Sequence, residues 1–268
     1  MGRTLAVANQ KGGVGKTTTA INLSAFLASK GLKILLIDCD PQANTTASLG
    51  FRRDPTRRSL YSALVLADRP ESVIQKTSTE RLDLLPSDKN LVGAAIELVE
   101  AADREFRLKQ VLAPLKESYD FIVVDCPPSL DLLTLNALAA SDAVLIPIQC
   151  EYLALEGVTE LLDTITRIRG NLNPELEIEG VVLTMYDDRT TLSRQVAADL
   201  RSYFGSQLFE TVIPRNVRLA EAPSHGMPIL LYDPLSKGAV AYSQLAEEVI
   251  ANGQKRIGKG PKRPDSST

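Results

Sequence analysis

A chain of 268 residues that is 44% hydrophobic can bury one large core or two small ones, and no run in it approaches the roughly 18 uncharged apolar residues of a membrane span. Its net charge of −3 excludes attraction of the whole molecule to nucleic acid, so any such binding has to come from a local patch. The three cysteines (Cys39, Cys126, Cys150) form no C-x-x-C pair and read as buried thiols rather than a disulfide framework or zinc site, and the single histidine, His225, reads as a packing residue.

The N-terminus runs from MGRT into a strand-like stretch at 4–9 (TLAVAN) with no apolar leader region, so a cytoplasmic protein is expected. Residues 10–20 (QKGGVGKTTTA) turn into a helix whose apolar Ile21, Leu23, Phe26 and Leu27 share a face and which Gly31 ends. Further buried strands are expected at 33–38 (KILLID), 82–87 (LDLLPS), 120–125 (DFIVVD), 142–148 (DAVLIPI), 178–185 (IEGVVLTM) and 209–214 (FETVIP). Helices fit at 104–117, 130–140, 155–170, 191–204 and 237–252, and the long connection after the second strand calls for one more near 59–67, for a site, or for both. Apolar runs alternating with helix-period stretches predict an α/β fold: a doubly wound, mostly parallel sheet with helices on both faces. One domain over 1–252 is expected, followed by a disordered basic tail at 253–268 whose only large apolar residue is Ile257.

The turn after the first strand is a phosphate-binding loop with one departure. The usual G-x-x-x-x-G-K-[ST] would open on a glycine where this chain has Gln10, and a second lysine, Lys11, stands directly before Gly12 and Gly13. Glycines at 12, 13 and 15 allow successive N–H groups, including those of Val14 and Thr18, to cradle a polyphosphate at a helix N-terminus. Lys16 would bridge β- and γ-phosphates, and the Thr17 hydroxyl would hold Mg²⁺. Asp125, at the end of FIVVD, suits the carboxylate that such a metal needs. Asp38 and Asp40 in IDCDPQAN fall on one side of an extended segment, where one of them can serve the metal or the attacking water, or merely cap the turn before Pro41. From Arg189 to Arg218 five arginines face two acids, a local net of +3, and the tail adds five basic residues; charge alone reads as a solvated surface or a nucleic-acid patch.

KGGVGKTTT, DCDPQAN, VVDCPPS and IPRNVRLAEAPSHGMPI together resemble the deviant-Walker-A ATPases of the ParA/Soj branch, the chromosome and plasmid partition proteins, over roughly residues 3–250. The resemblance implies a slow ATPase using ATP and Mg²⁺, held by Lys16, Thr17, Asp125 and Asp38, with Asp40 positioning the hydrolytic water and Pro214, Arg215 and Asn216 forming the adenine-binding strip. It implies that Lys11 reaches across an ATP-bound sandwich homodimer to the partner's phosphates, and that Gly12 lets the two loops approach. Arg189 and Arg218 fall where the family carries sequence-independent contacts to double-stranded DNA. The implied protein partner is a ParB/Spo0J-type centromere-binding protein that stimulates hydrolysis, and a replication initiator is compatible as a further one. The implied location is cytoplasmic and nucleoid-associated. No helix-turn-helix precedes TLAVAN and no amphipathic anchor is evident at the C-terminus, so operator and membrane binding are not expected. A MinD-like membrane-positioning ATPase and a P-loop amidoligase-type enzyme remain as alternatives.

Overall fold

The computed structural model describes residues 2–151 and 154–257. Its eight strands, β1 (Arg3–Val7), β2 (Ile34–Asp38), β3 (Gln75–Lys76), β4 (Leu82–Leu85), β5 (Phe121–Asp125), β6 (Ala143–Gln149), β7 (Glu177–Tyr186) and β8 (Leu208–Pro214), lie in the order β3-β4-β2-β5-β1-β6-β7-β8. Among the described residues only the pairing of β3 with β4 is antiparallel. Strands such as ILLID and FIVVD are buried at every position because helices cover both faces, and unbroken runs of branched apolar residues are what such a two-sided environment selects.

The helices are α1 (Lys16–Ser29), α2 (Asn44–Ser48), α3 (Leu60–Leu64), α4 (Leu91–Glu97), α5 (Arg107–Leu112), α6 (Leu132–Ala140), α7 (Ala154–Asn171), α8 (Thr191–Phe204), α9 (Val217–Glu221), α10 (Ile229–Tyr232) and α11 (Lys237–Ile257). One core lies between the sheet and α3 to α8, through residues such as Leu35, Val124, Leu91, Leu138 and Ile165. The other lies on the opposite face beneath α1 and α9 to α11, through Leu36, Val123, Leu23, Tyr242 and Leu245. All three cysteines are free and buried, and His225 stacks on Tyr232 with ring centroids 4.8 Å apart.

Local sequence explains where the elements depart from expectation. The helix expected over 104–117 is confined to α5 between two short 3₁₀ turns, and the second turn contains Pro114, which lacks the N–H a continuing helix needs. β3 is two polar residues at the sheet edge, too short to show any alternation. The helix near 59–67 forms as α3, at whose start the Ser62 hydroxyl reaches back to accept from the Ser59 N–H at 3.3 Å. At the other end α11 continues past the expected boundary at 252 to Ile257, because GQKRI carries three good helix formers after one tolerated glycine. The rest of the expected tail, 258–268, lies outside the described residues.

Candidate functional site

The carboxyl ends of β1, β2 and β5 are adjacent, and the loops leaving them build one site, as the geometry of an open parallel sheet dictates. Residues 8–15 connect β1 to α1. Asn9, buried, ties this loop to β6: its Nδ2 donates to the Pro147 carbonyl (2.7 Å), and its Oδ1 accepts from the Lys11 N–H (3.0 Å). The Thr184 hydroxyl donates to the Val14 carbonyl at 2.8 Å. Gly13 and Gly15 sit at φ 74 and 88, left-handed backbone that a side chain would strain. Gly12 differs from both. It needs no left-handed backbone, and a Cβ built on it meets nothing within 4 Å, so the chain itself sets no requirement for glycine there.

Lys16 is only 7% exposed, and its ammonium donates to the Lys11 carbonyl at 3.0 Å rather than to a carboxylate. Burial lowers its pKa, with Asp125 the main opposing influence. A desolvated cation bonded to a carbonyl inside a glycine-rich loop at a helix N-terminus is a seat for an anion. Lys11, in contrast, pairs with Glu151 at 3.3 Å; Glu151 also accepts from the Gln149 amide.

Asp38 and Asp125 are register partners on β2 and β5. Asp125 is fully buried, and its Oδ2 accepts from the hydroxyls of Thr17 (2.8 Å) and Thr45 (2.7 Å). Its Oδ1 has no hydrogen-bond partner among the described residues. An orphaned carboxylate oxygen beside a threonine hydroxyl at a phosphate loop fits a divalent cation. Among the described residues no group of three or more His, Cys, Asp or Glu could hold a metal alone, so such a cation would depend on phosphate oxygens as well. Asp38 is closed off differently: Oδ2 accepts from the Thr46 N–H (2.7 Å) and hydroxyl (2.6 Å), and Oδ1 from the Asp40 N–H (3.2 Å). Burial, then repulsion from Asp125, pushes the Asp38 carboxyl up to about 7; burial pushes Asp125 up to about 6 against the pull of Thr45 and Thr17. Asp40 faces the loop, with Oδ1 accepting from the Gln42 N–H (2.9 Å) and its carbonyl accepting from the Ser87 hydroxyl (2.7 Å).

Pro214, Arg215 and Asn216 line a cavity of about 360 Å³ whose opposite wall includes Gly15 and Thr18. Asn216 caps α9 by accepting from the Arg218 N–H at 2.8 Å, which stiffens that wall. The two arginines singled out lie near one end of the sheet, after β7 and β8, where Tyr186 pairs with Pro214. Neither is a bare cation. Arg189 grips Asp187 with Nε (2.8 Å) and Nη2 (2.7 Å), holding that carboxyl down at about 2, and Arg218 pairs with Glu221 (2.9 Å) and Asp233 (3.5 Å). Exposed pairs of this kind are weak, so phosphates can replace the carboxylates.

Sequence reasoning missed Asn9, Thr45, Thr46, Ser87 and Glu151. The one local signal was the threonine pair directly after DCDPQAN, two hydroxyls following a carboxylate strand.

The profile of a family described as AAA domain matches residues 2–178. The sporulation initiation inhibitor protein Soj of Bacillus subtilis is 53% identical over 94% of this chain and 100% of its own length. The chromosome partitioning protein ParA of Caulobacter vibrioides is 52% identical over 96% of this chain and 97% of its own. Among solved structures, cobyrinic acid a,c-diamide synthase from Mycobacterium smegmatis with bound ADP and magnesium superposes with a TM-score of 0.83 at 38% identity, over 100% of both chains.

Proposed function

The chain belongs to the Soj/ParA family of chromosome-partitioning ATPases, and from that premise we propose that it works as an ATP-gated DNA switch. ATP-bound chains pair into a sandwich dimer that holds duplex DNA without regard to sequence. Hydrolysis, stimulated by a ParB/Spo0J-type centromere-binding partner, releases the DNA and drives segregation of the replication origin. The observation that carries this reading is the loop itself: Lys16 bonds back into the loop while Lys11 is paired with Glu151 instead, and a side chain at Gly12 would meet nothing in its own chain.

On this reading Lys16 and the N–H groups of Gly13, Val14 and Gly15 seat the β- and γ-phosphates, and Pro214, Arg215 and Asn216 border the adenine. The ADP and magnesium in the Mycobacterium structure support ATP and Mg²⁺ as ligands here. Thr17 and Asp125, through its unmatched Oδ1, would hold the Mg²⁺, which supplies charge neutralisation as the γ-phosphoryl departs. Asp40 holds the attacking water in line, and Asp38 orients it through the Asp40 N–H. Lys11 leaves Glu151 and reaches the partner's phosphates, the part an arginine finger plays elsewhere. Arg189 and Arg218 exchange their carboxylates for DNA phosphates, and two such patches in one dimer add avidity. The protein is then cytoplasmic and nucleoid-associated.

A second reading has one observation in its favour. A cavity of about 470 Å³ borders the Asp40 loop, lined by Gln42, Arg53, Arg57, Ser87 and Lys89 among others, and could take the small-molecule substrate of an amide-forming P-loop enzyme. One experiment separates the readings. Asp40→Ala protein, expected to retain ATP, is titrated with random-sequence duplex DNA in ATP or ADP across a salt series, with Asp40→Ala/Arg189→Glu alongside. Binding that needs ATP, falls steeply with salt and drops at least about tenfold with the arginine change is expected. A dimer in ATP that ignores DNA would overturn the switch and direct attention to small-molecule substrates and liposomes.

A further inference from the structure

The segment 52–58 (RRDPTRR) places four arginines and one aspartate in seven residues, and neither the phosphate loop nor the arginines beyond β7 accounts for them. Two of the four, Arg53 and Arg57, line the cavity of about 470 Å³ beside the Asp40 loop, together with Ser87 and Lys89 from the connection after β4. Phe51 and Ala47 give the same cavity an apolar side. Its charges are unbalanced. Among the described residues Arg58 pairs with Asp68 at 3.3 Å, whereas Arg53, Arg57 and Lys89 have no ion-pair partner. The two acids of the lining are held by their own turns instead: Asp54 accepts from the Thr56 N–H (2.8 Å) and hydroxyl (2.6 Å), and Asp88 from the Asn90 N–H (2.9 Å). The Arg57 guanidinium lies 5.7 Å from the centre of the Phe51 ring and donates to the Arg52 carbonyl at 2.8 Å, so a flat cation is fixed over a flat apolar surface. Unmatched cations around a concave, partly apolar space call for an anion, and a guanidinium fork meets phosphate oxygens two at a time.

We propose that this cavity is a binding site for a small aromatic phosphate: Arg53, Arg57 and Lys89 hold the dianion, and the ring lies against Phe51 and Ala47. A neutral ligand would leave the cations unmatched, and inorganic phosphate alone would leave the apolar side uncovered. The site is distinct from the cavity of about 360 Å³ bordered by Pro214 to Asn216, with which it shares no lining residue. Binding there reaches the chemistry through Ser87. The Ser87 hydroxyl donates to the Asp40 carbonyl (2.7 Å), its N–H donates to the Thr46 hydroxyl (2.9 Å), and that hydroxyl donates to Asp38 (2.6 Å). A ligand drawn to Lys89 therefore acts on a segment that is bonded to both aspartate positions. The inference goes beyond the partition reading and does not depend on it; where the amide-forming reading asks this cavity to hold a reacting substrate, the present one asks only that it hold an anion.

The test titrates 1-naphthyl phosphate into the isotope-labelled full chain saturated with ADP and Mg²⁺, so that the phosphate loop is already filled, with 1-naphthol and inorganic phosphate alongside. Naphthyl phosphate is expected to shift the amide resonances of 51–57 and 87–90 saturably and to bind at least about tenfold more tightly than either fragment. Arg53→Ala and Lys89→Ala are each expected to weaken it by about tenfold, the loss of one charge-assisted contact, while the resonances over 12–18 keep their positions. Both side chains are exposed, so alanine leaves the fold intact. At saturation kcat for ATP is expected to change by at least about twofold with KM for ATP unmoved, and Lys89→Ala to remove that change. Equal affinity for 1-naphthol, shifts confined to the phosphate loop or to 187–218, or undiminished binding by the Arg53→Ala/Lys89→Ala protein would each overturn the site. A level kcat would overturn its link to Asp40. The titration contains neither DNA nor a protein partner, so its failure strikes this cavity alone, whereas failure of the DNA titration above strikes the partition reading alone.

Discussion

At Asp38 and Asp125 two carboxylates are stacked across neighbouring strands with little water, and both pKa values are raised, to about 7 and about 6. The folded chain therefore keeps protons that the unfolded chain gives up near pH 4. Their contribution to stability is present below the ordinary carboxylate range and is lost as pH rises through 6 to 7. Thermal unfolding of the metal-free, nucleotide-free protein is expected to show a midpoint that falls over this window, by up to roughly 1.4 kcal/mol per pH unit for each carboxylate. Asp38→Asn should flatten the fall, and Mg²⁺ with nucleotide should do the same by stabilising the ionised forms. A midpoint that is level or rising across the window would show the pair to be ionised already. Gly12 is the second residue with a sharp expectation. Because a side chain there meets nothing in its own chain, Gly12→Val should bind a fluorescent ATP analogue nearly as well as the parent while failing to form a dimer in light scattering. An ordinary ATP-dependent dimer from that variant would refute the close approach of two loops.

Among the elements, β7 shows how closely one strand can depend on another. A Cβ on Gly180 would lie 2.6 Å from the Phe209 ring of β8, so Gly180→Val is expected to cost about 1–3 kcal/mol in denaturant unfolding, and Phe209→Leu beside it should recover part of the loss. Nothing in IEGVVLTM announces that contact. The strands themselves were legible: FIVVD, LDLLPS and DAVLIPI match β5, β4 and β6 to within about two residues at each end, since a buried parallel strand must be a continuous apolar run. The short helices α2, α4, α9 and α10 were not, because elements of one or two turns bury too few residues to display a period. The site divides along the same line. Lys16, Thr17, Asp38 and Asp125 could be read because a loop and strand ends are contiguous in the chain. Thr45, which reaches Asp125 across 80 positions, and Glu151, which reaches Lys11 across 140, enter only once the sheet has brought them together.

For the whole molecule, the proposed functions are distributed around one sheet: phosphate loop and carboxylates at the ends of its central strands, and arginines beyond β7 and β8. In the proposed dimer, what couples two chains is the transfer of Lys11 away from Glu151. The pair is half exposed, so its strength is at most about 1 kcal/mol. Because each dimer breaks two such pairs, Glu151→Gln is expected to lower the protein concentration needed for half-dimerisation in ATP by no more than about thirtyfold, measured by sedimentation; a rise would mean that Glu151 supports the dimer instead. The consequence of that parked lysine is a sense of density. A molecule far from others keeps its decisive cation on its own carboxylate and its nucleotide intact. In the proposed dimer the same molecule among many is completed by a neighbour, so hydrolysis per molecule would rise with local copy number, and the population would register how crowded it is without any separate sensor.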